Sequence, residues 1–243
     1  MRRSDSKGTG EAGAPGSRWK RRKPMKRNHT RWTRILCLAA LLCGLLAVTA
    51  GAAEPLARYP DRADIGPAYT RAVEHMTEQN ILQGYDDGGF HPADTLTREQ
   101  GAKIITYLLL GAESADALTS ATAPFTDVAE FRWSAPSIAW CAGRHILDGY
   151  GNGRFGPADP LTGQQFAKML LCAYGLGDAS GYVGAAWAEK VSAAGDAYQL
   201  FIGDGTMDSG QPLQRQQAAL MADNAQTAGT HTTSGDIHLP EVP

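Results

Sequence analysis

Two arginines stand where the sequence predicts the first turn of a helix. Arg98 follows Thr97, a typical N-cap residue, and Arg215 follows Gln214 at the same place in a related segment. The first amide groups of a helix are unpaired and partly positive, so a cation there is unfavourable without an anionic partner. Free N–H groups beside a guanidinium can bind a carboxylate or phosphate. We predict an anion receptor at both arginines; the alternative is that each pairs with a neighbouring acid such as Glu99.

Other reactive residue types lack a pattern that would support catalysis or metal binding. The histidines are scattered, and the sequence holds no Gly-x-Ser-x-Gly, phosphate-binding loop or His-Glu-x-x-His. Asp86, Asp87 and Asp94 miss the spacing of an EF-hand loop and are typical of turns beside glycine. We therefore predict no enzyme activity, no cofactor and no metal site.

The elements that position the arginines occur more than once. Residues 80–105 and 145–170 align without a gap, and fourteen of the twenty-six pairs are identical. The identities include Gly84 with Gly149 and further pairs of tyrosine, phenylalanine and proline at fixed places. The chain is therefore a repeat protein.

Each copy predicts a helix, a loop and a second helix. An apolar run at helical spacing ends at a Gly-Tyr step, where Gly84 and Gly149 are expected to supply the positive φ of a helix C-cap. The second helix begins with a Thr-x-x-Gln capping box, at Thr97 and at Thr162. In the second copy Gly163 replaces the arginine, so that copy lacks the predicted receptor, and an arginine introduced at position 163 is expected to add one.

A third copy is present in altered form. Trp187 opens its first helix, Gly203 stands at the Gly-Tyr loop, and Leu213 precedes its second helix. The loop is two residues shorter and lacks the Phe-x-Pro sequence, and Gln214 replaces the capping threonine. Losing that cap is expected to weaken the helix start by about 1 kcal/mol.

Several of these motifs resemble one known family. The second copy contains Trp-Ser-Ala-x-x-Ile from Trp133 and then Ile-Leu-x-Gly-Tyr-x-x-Gly-x-Phe-x-Pro, while the first copy contains Leu-Thr-Arg-Glu from Leu96. Phe-Thr-Asp-Val from Phe125 matches the opening of the family's repeat. Together they resemble the S-layer homology (SLH) repeat of Gram-positive bacteria. The resemblance covers almost all of the chain after residue 52.

The resemblance implies a fold, a function and a set of binding residues. It implies an all-α bundle in which three helix–loop–helix repeats pack in a pseudo-threefold arrangement, with grooves between neighbours. It also implies that the repeats bind an anionic secondary cell-wall polysaccharide, often a pyruvylated one. Trp133 and Trp187 either line the sugar-binding grooves or anchor helix starts in the core. The polysaccharide-binding residues implied are Thr97, Arg98, Glu99, Arg215, Trp133 and Trp187.

The N-terminal segment differs in character from the remainder. Residues 1–52 combine a long basic leader with an apolar run and an Ala-Gly-Ala cleavage signal, which predicts a secretory signal peptide and membrane contact only during export. The alternative is an uncleaved anchor, and Met25 is a possible true start. Without this segment the chain has 11 Lys and Arg against 23 Asp and Glu, a net charge of −12. Such an acidic chain argues against non-specific nucleic-acid binding.

Cys141 and Cys172 are the cysteines that remain after the predicted cleavage. The aligned residues of the first copy are Met76 and Tyr107, on the apolar faces of their helices, so both thiols are expected in the core. An exported protein can form disulfides, so a bridge and two buried free thiols both stay open.

The expected organisation follows from these segments. The predicted boundaries are a leader and signal peptide (1–52), repeat 1 (53–111), a linker (112–124), repeat 2 (125–178), a degenerate repeat 3 (179–226) and a disordered tail (227–243). The predicted function is that of a secreted protein that attaches non-covalently to the cell wall, at the S-layer surface, through this polysaccharide. The alternative is a structural or protein-interaction module with the same fold that has lost sugar binding.

Overall fold

The structure is a computed structural model, and it describes residues 55–119, 122–129 and 132–232. The predicted signal peptide and residues 233–243 of the predicted tail lie outside the described residues. The helices are α1 (Thr70–Glu78), α2 (Arg98–Leu110), α3 (Ala112–Asp116), α4 (Ala135–Ala142), α5 (Gly163–Ala173), α6 (Trp187–Ala197) and α7 (Arg215–Thr232). Short 3₁₀ turns occur at Pro55–Arg58, Arg62–Asp64 and Ala179–Gly181.

The predicted all-α fold is confirmed. The described residues contain no strand, and only three isolated bridges join their loops. In this same part of the chain, no helix combines the length and apolar character that crossing a membrane requires.

The helices pack as a closed ring of three pairs. The first helix of each copy packs on the second helix of the preceding copy: α4 on α2, α6 on α5, and α1 on α7. The contact between α1 and α7 joins the two ends of the described chain. One continuous hydrophobic cluster runs through all three copies, so they share a single core.

Three leucines mark the centre of the ring. Leu96, Leu161 and Leu213 immediately precede the N-caps of α2, α5 and α7, and each is at most 1% exposed. The N–H of Leu96 donates to the carbonyl of Leu213, Leu213 donates to Leu161, and Leu161 donates to Leu96. This circuit of hydrogen bonds gives the third copy the same structural role as the other two.

The Gly-Tyr steps do not cap the first helices as predicted. The residues with positive φ lie earlier, at Asn80 (57°), His145 (57°) and Gln199 (60°), one in each copy. Neither Gly84 nor Gly149 has positive φ. They are required for close approach, because a Cβ atom on Gly149 would lie 2.4 Å from the carbonyl oxygen of Arg154.

The predicted capping boxes are confirmed in α2 and α5. In each, the threonine hydroxyl accepts from the N–H of the glutamine three residues later, whose side chain accepts from the threonine N–H. Helix α7 keeps the second of these bonds, since Gln217 Oε1 accepts from the N–H of Gln214 at 3.0 Å.

Two segments that were predicted to be non-helical contain helix. The segment 112–124, expected as a linker, begins with helix α3, which packs on α2. Helix α7 continues to Thr232 and so passes residue 227, where the disordered tail was expected to begin. The small and polar residues of that stretch show no apolar periodicity, so the sequence did not indicate a helix there. The helix has a buried face that includes Gly229, which packs against Tyr174.

Both cysteines lie in the core, as predicted. Cys141 is fully buried and Cys172 is 8% exposed, and both are free thiols. Burial raises the pKa of the Cys172 thiol to about 11, so it stays protonated at neutral pH. Of the two alternatives, the structure contains the free thiols.

Candidate functional site

Arg98 lies in a buried site formed by the loop of the second copy. Its Nε donates to the carbonyl of Phe155 and its Nη2 to the carbonyl of Asp148, both at 2.8 Å. The guanidinium stacks on the rings of Tyr150 and Phe155, at 4.8 and 4.5 Å from their centroids. Arg98 is only 7% exposed, and burial lowers its pKa. It therefore connects one copy to the next.

Arg215 makes the corresponding contacts with the loop of the first copy. Its Nη2 donates to the carbonyl of Gln83, and its guanidinium lies 4.8 Å from the centroids of both Tyr85 and Phe90. It is also 7% exposed, and burial lowers its pKa. The neighbouring copy thus supplies carbonyl partners to both arginines, and neither pairs with Glu99.

The helix-start amides beside Arg98 are also occupied. Its own N–H donates to the carbonyl of Asp159, and the N–H of Glu99 donates to the carbonyl of Pro157, both at 3.0 Å. The third amide, that of Gln100, donates to the capping hydroxyl of Thr97. The predicted receptor of free amides is therefore wrong, because residues of the second copy already fill it.

Glu99 forms an ion pair that also crosses between copies. Its carboxylate accepts from Nε and Nη2 of Arg132, at 2.5 and 2.6 Å, and from the hydroxyl of Ser134 at 2.5 Å. Glu99 is 6% exposed. A bidentate pair with a buried carboxylate fixes the start of α4 against α2.

Gly163 stands in a place with no room for a side chain. A Cβ atom there would lie 2.9 Å from the Cα atom of Ser209, in the shortened loop of the third copy. The N–H of Gly163 donates to the carbonyl of Gln211 in the same loop. The sequence indicates this difference. The position after the N-cap is arginine in the two copies whose neighbouring loop contains Gly-Tyr and Phe-x-Pro, and it is glycine in the copy whose neighbouring loop lacks both.

The two tryptophans lie at grooves between copies. Trp133 is 54% exposed, so it is not a core anchor. Trp187 is half-buried and packs against the core at the start of α6. Each lines a cavity between neighbouring copies, so both lie at the grooves that the resemblance implies.

Groove 1 lies between the first and second copies and has a volume of about 230 Å³. Lys103 from α2 extends beside it, with Nζ 5.7 Å from the ring centroid of Trp133 and 5.0 Å from that of Tyr107. The residues that characterise it are Gln83, Tyr85, Lys103, Trp133 and Arg215.

Groove 2 lies between the second and third copies and has a volume of about 450 Å³. Lys168 from α5 has its Nζ 5.8 Å from the ring centroid of Trp187 and 2.7 Å from Oδ2 of Asp148. The corresponding residues are Asp148, Tyr150, Lys168, Trp187 and Arg98.

Sequence reasoning missed the lysines and tyrosines of these grooves. Lys103 aligns with Lys168, and Tyr85 aligns with Tyr150, so the repeat alignment alone could have pointed to them. They were overlooked because a lysine on a helix and a tyrosine in a loop are common at any protein surface. Only the packing of neighbouring copies shows that the lysine and the tyrosine of each groove line it together with a tryptophan.

The equivalent position between the third and first copies is occupied by side chains of the protein. The hydroxyl of Tyr69 donates to the carboxylate of Asp204, which also accepts from Nε2 of Gln217 at 3.1 Å. Burial and this carboxylate raise the pKa of Tyr69 to about 12. Leu220 aligns with the lysines Lys103 and Lys168. Gly163 aligns with the arginines Arg98 and Arg215. The ring is therefore threefold in backbone but has two grooves with this chemistry.

No group of three or more metal-ligating side chains occurs among the described residues. Of the three aspartates weighed as calcium ligands, Asp87 has other partners: its Oδ1 accepts from the N–H of Gly89 at 2.9 Å, and its Oδ2 lies 2.7 Å from Nε2 of His91. These contacts are those of a turn-forming aspartate.

The family resemblance is supported by comparison with known proteins. The sequence model of the S-layer homology domain matches residues 58–102 and 124–167. Cell surface glycoprotein 1 of Acetivibrio thermocellus is 36% identical over 90 residues, which are 37% of this chain and 4% of that protein. The cellulosome-anchoring protein of the same organism is 32% identical over 89 residues, 37% of this chain and 20% of that protein.

A third relative extends the similarity further along the chain. The surface-layer 125 kDa protein of Lysinibacillus sphaericus is 29% identical over 160 residues, which are 63% of this chain and 13% of that protein. The chain thus spans a fifth or less of the length of these three curated relatives.

Proposed function

We propose that the chain is a cell-surface protein that attaches non-covalently to the cell wall by binding an anionic wall polysaccharide, because residues 58–102 and 124–167 match the S-layer homology domain. The observation that carries this proposal is the pair of grooves, each of which combines a tryptophan, a tyrosine, a lysine and an arginine. Aromatic faces suit sugar rings, and the cations suit acidic substituents. The names of the relatives, a surface-layer protein and a cellulosome-anchoring protein, agree with a role in attachment.

Thr97 and Glu99 take a supporting role in this proposal. Both are used inside the protein, Thr97 as a helix cap and Glu99 as the partner of Arg132. Trp133, Trp187 and the two lysines are the residues proposed to touch the polymer, while Arg98 and Arg215 form the floors of the grooves. Export through the N-terminal signal segment remains part of the proposal.

Co-sedimentation of the chain from Ala53 onward with purified cell walls tests this function. We expect the protein to sediment with intact walls and to remain in solution when the polysaccharide has been chemically removed from them. Equal sedimentation with intact and stripped walls would contradict the proposal.

The second candidate is a structural or protein-interaction module that has lost sugar binding. One observation favours it: Arg98 and Arg215 are buried and hydrogen-bonded within the protein, as expected of residues that hold copies together. This candidate predicts a folded chain that fails to sediment with either kind of wall.

A further inference from the structure

The two grooves are built from aligned residues but differ at one charged position. Gln83 lines groove 1, and Asp148 lines groove 2 at the equivalent place before the Gly-Tyr step. The lining of groove 1 contains Lys103 and Arg215 and no acid, a formal charge of +2. The lining of groove 2 contains Arg98, Lys168 and Asp148, a formal charge of +1.

The lysines differ accordingly. Lys168 Nζ lies 2.7 Å from Oδ2 of Asp148, and its side chain is 17% exposed. Lys103 is exposed, and within the described residues no carboxylate lies within ion-pair distance of its Nζ. An anion entering groove 2 must compete with Asp148 for the lysine, whereas in groove 1 Lys103 has no such partner.

The arginines differ in the same direction. The aligned carboxylates Asp159 and Asp94 act electrostatically on Arg98 and Arg215, whereas Asp148, which also acts on Arg98, has the uncharged Gln83 as its counterpart. Nε of Arg98 donates to a carbonyl, but Nε of Arg215 has no hydrogen-bond partner among the described residues. Groove 1 therefore retains more uncompensated positive charge and an unused buried donor.

We infer that groove 1 binds a carboxylate-bearing sugar and that groove 2 binds an uncharged sugar, with Gln83 and Asp148 setting this difference. The inference rests on the proposed function and goes further, since it assigns a different sugar chemistry to each groove. In groove 1 the carboxylate lies between Lys103 and Arg215 while the sugar ring packs on Trp133. In groove 2 Trp187 packs on the ring, and the Lys168–Asp148 pair offers a donor and an acceptor to its hydroxyl groups.

Two exchanges test the assignment with little risk to folding. The side chains of Gln83 and Asp148 are both exposed, and the arginines use only their backbone carbonyls, which substitution leaves in place. The variants are Gln83→Asp, which gives groove 1 the acid of groove 2, and Asp148→Gln, which does the reverse. The probes are a methyl hexoside that bears a pyruvate ketal and the same hexoside without it.

The indole Nε1–H signals of Trp133 and Trp187 report the two grooves separately in ¹⁵N-resolved NMR, with Trp133→Phe and Trp187→Phe used for assignment. We expect the acidic glycoside to shift the Trp133 signal and the uncharged glycoside to shift that of Trp187. Gln83→Asp should weaken the binding of the acidic glycoside to groove 1 about three- to tenfold, which is the effect of one nearby, partly screened charge. Asp148→Gln should allow the acidic glycoside to shift the Trp187 signal.

The assignment is overturned if the acidic glycoside shifts both indole signals equally in the parent protein, if it shifts neither, or if Gln83→Asp leaves its affinity unchanged. Wall co-sedimentation is measured in parallel with the same variants. A protein that still sediments with intact walls while failing the NMR test keeps its proposed function and loses only this assignment.

Discussion

The N–H of Leu96 donates to the carbonyl oxygen of Leu213 at 3.0 Å, and this bond joins the first helix–loop–helix copy to the last. The same two copies meet again where α1 packs on α7. Because each copy receives backbone hydrogen bonds from one neighbour and provides them to the other, the arrangement is a closed ring. In such a ring each copy packs on both of the others, so the stability of each depends on the other two.

Removal of the third copy is therefore expected to destabilise the other two. Deletion of residues 179–232 removes α6 and α7, exposes the apolar surface of α1 and α5 that packs on them, and leaves the N–H of Leu96 without its partner. Circular dichroism during heating should show a lower unfolding temperature and a broader transition. A truncated chain that unfolds cooperatively at the parent's temperature would show that the first two copies are independent.

Arg98→Ala is expected to lower the stability of the fold as well as any wall binding. The substitution leaves the carbonyls of Phe155 and Asp148 without a buried donor, and hydrogen bonds to charged groups contribute about 1.5–3 kcal/mol. Urea unfolding measures the loss. Arg154→Ala is the matched control, since that side chain is 61% exposed and its contact with Asp127 is 3.5 Å long, so about 0–1 kcal/mol is expected.

Arg98→Lys distinguishes the geometry of the guanidinium from its charge. An ammonium group cannot donate to two separated carbonyls and also stack flat on Tyr150 and Phe155. We expect the lysine variant to recover only part of the lost stability. Full recovery would mean that charge alone matters at this position.

The repeat, the helices and the capping boxes could be predicted because each is encoded locally. Thr97 and Gln100, for example, are three residues apart, and their reciprocal hydrogen bonds need no other part of the chain. The partners of Arg98 are 50 and 57 residues away, in a different copy, so its local position suggested a free receptor. The requirement for Gly149 was misassigned for the same reason, because Arg154 and Phe125 limit its space while its own φ is ordinary.

A side chain at position 163 is expected to destabilise the protein rather than to create a binding site. A Cβ atom there would approach Ser209 Cα at 2.9 Å and its carbonyl oxygen at 3.0 Å, both of them backbone atoms that cannot rotate away. We expect Gly163→Ala to cost about 1–3 kcal/mol in urea unfolding, the usual range for overpacking, and Gly163→Arg to cost more. Gly205→Ala is the control, because its Cβ atom would meet nothing within 4 Å. Equal stability of the two alanine variants would refute the argument.

The stability of the fold is expected to decrease in acid partly through Asp127. Burial acts to raise the pKa of this carboxyl, but the N–H groups of Phe155 and Gly156, each 2.8 Å away, outweigh it and leave the pKa below its ordinary value. A group with a lowered pKa favours the folded state above its unfolded pKa of about 3.9, and this contribution is lost as the pH falls through the folded value. Asp127→Asn should be less stable at pH 7 and should lose less stability between about pH 5 and pH 3.

The control for this pH dependence is Asp86→Asn, because Asp86 has an exposed side chain in the loop of the first copy. Its unfolding free energy should follow that of the parent across the same pH range. If Asp127→Asn also follows the parent curve, the two backbone hydrogen bonds do not contribute to acid sensitivity.

Trp133→Ala is expected to reduce wall binding with little change in stability, which separates binding from folding more cleanly than any arginine variant can. Trp133 is 54% exposed at the edge of groove 1, so its removal opens no cavity in the core but takes away the aromatic face proposed for the sugar ring. Ile202→Ala is the matched control, because Ile202 is similarly exposed (58%) and lies outside both grooves. Co-sedimentation with intact walls should decrease for Trp133→Ala and stay at the parent's level for Ile202→Ala, while both variants unfold near the parent's temperature. If both sediment as the parent does, the ring of Trp133 does not contribute to wall binding, and the proposed role of groove 1 is wrong.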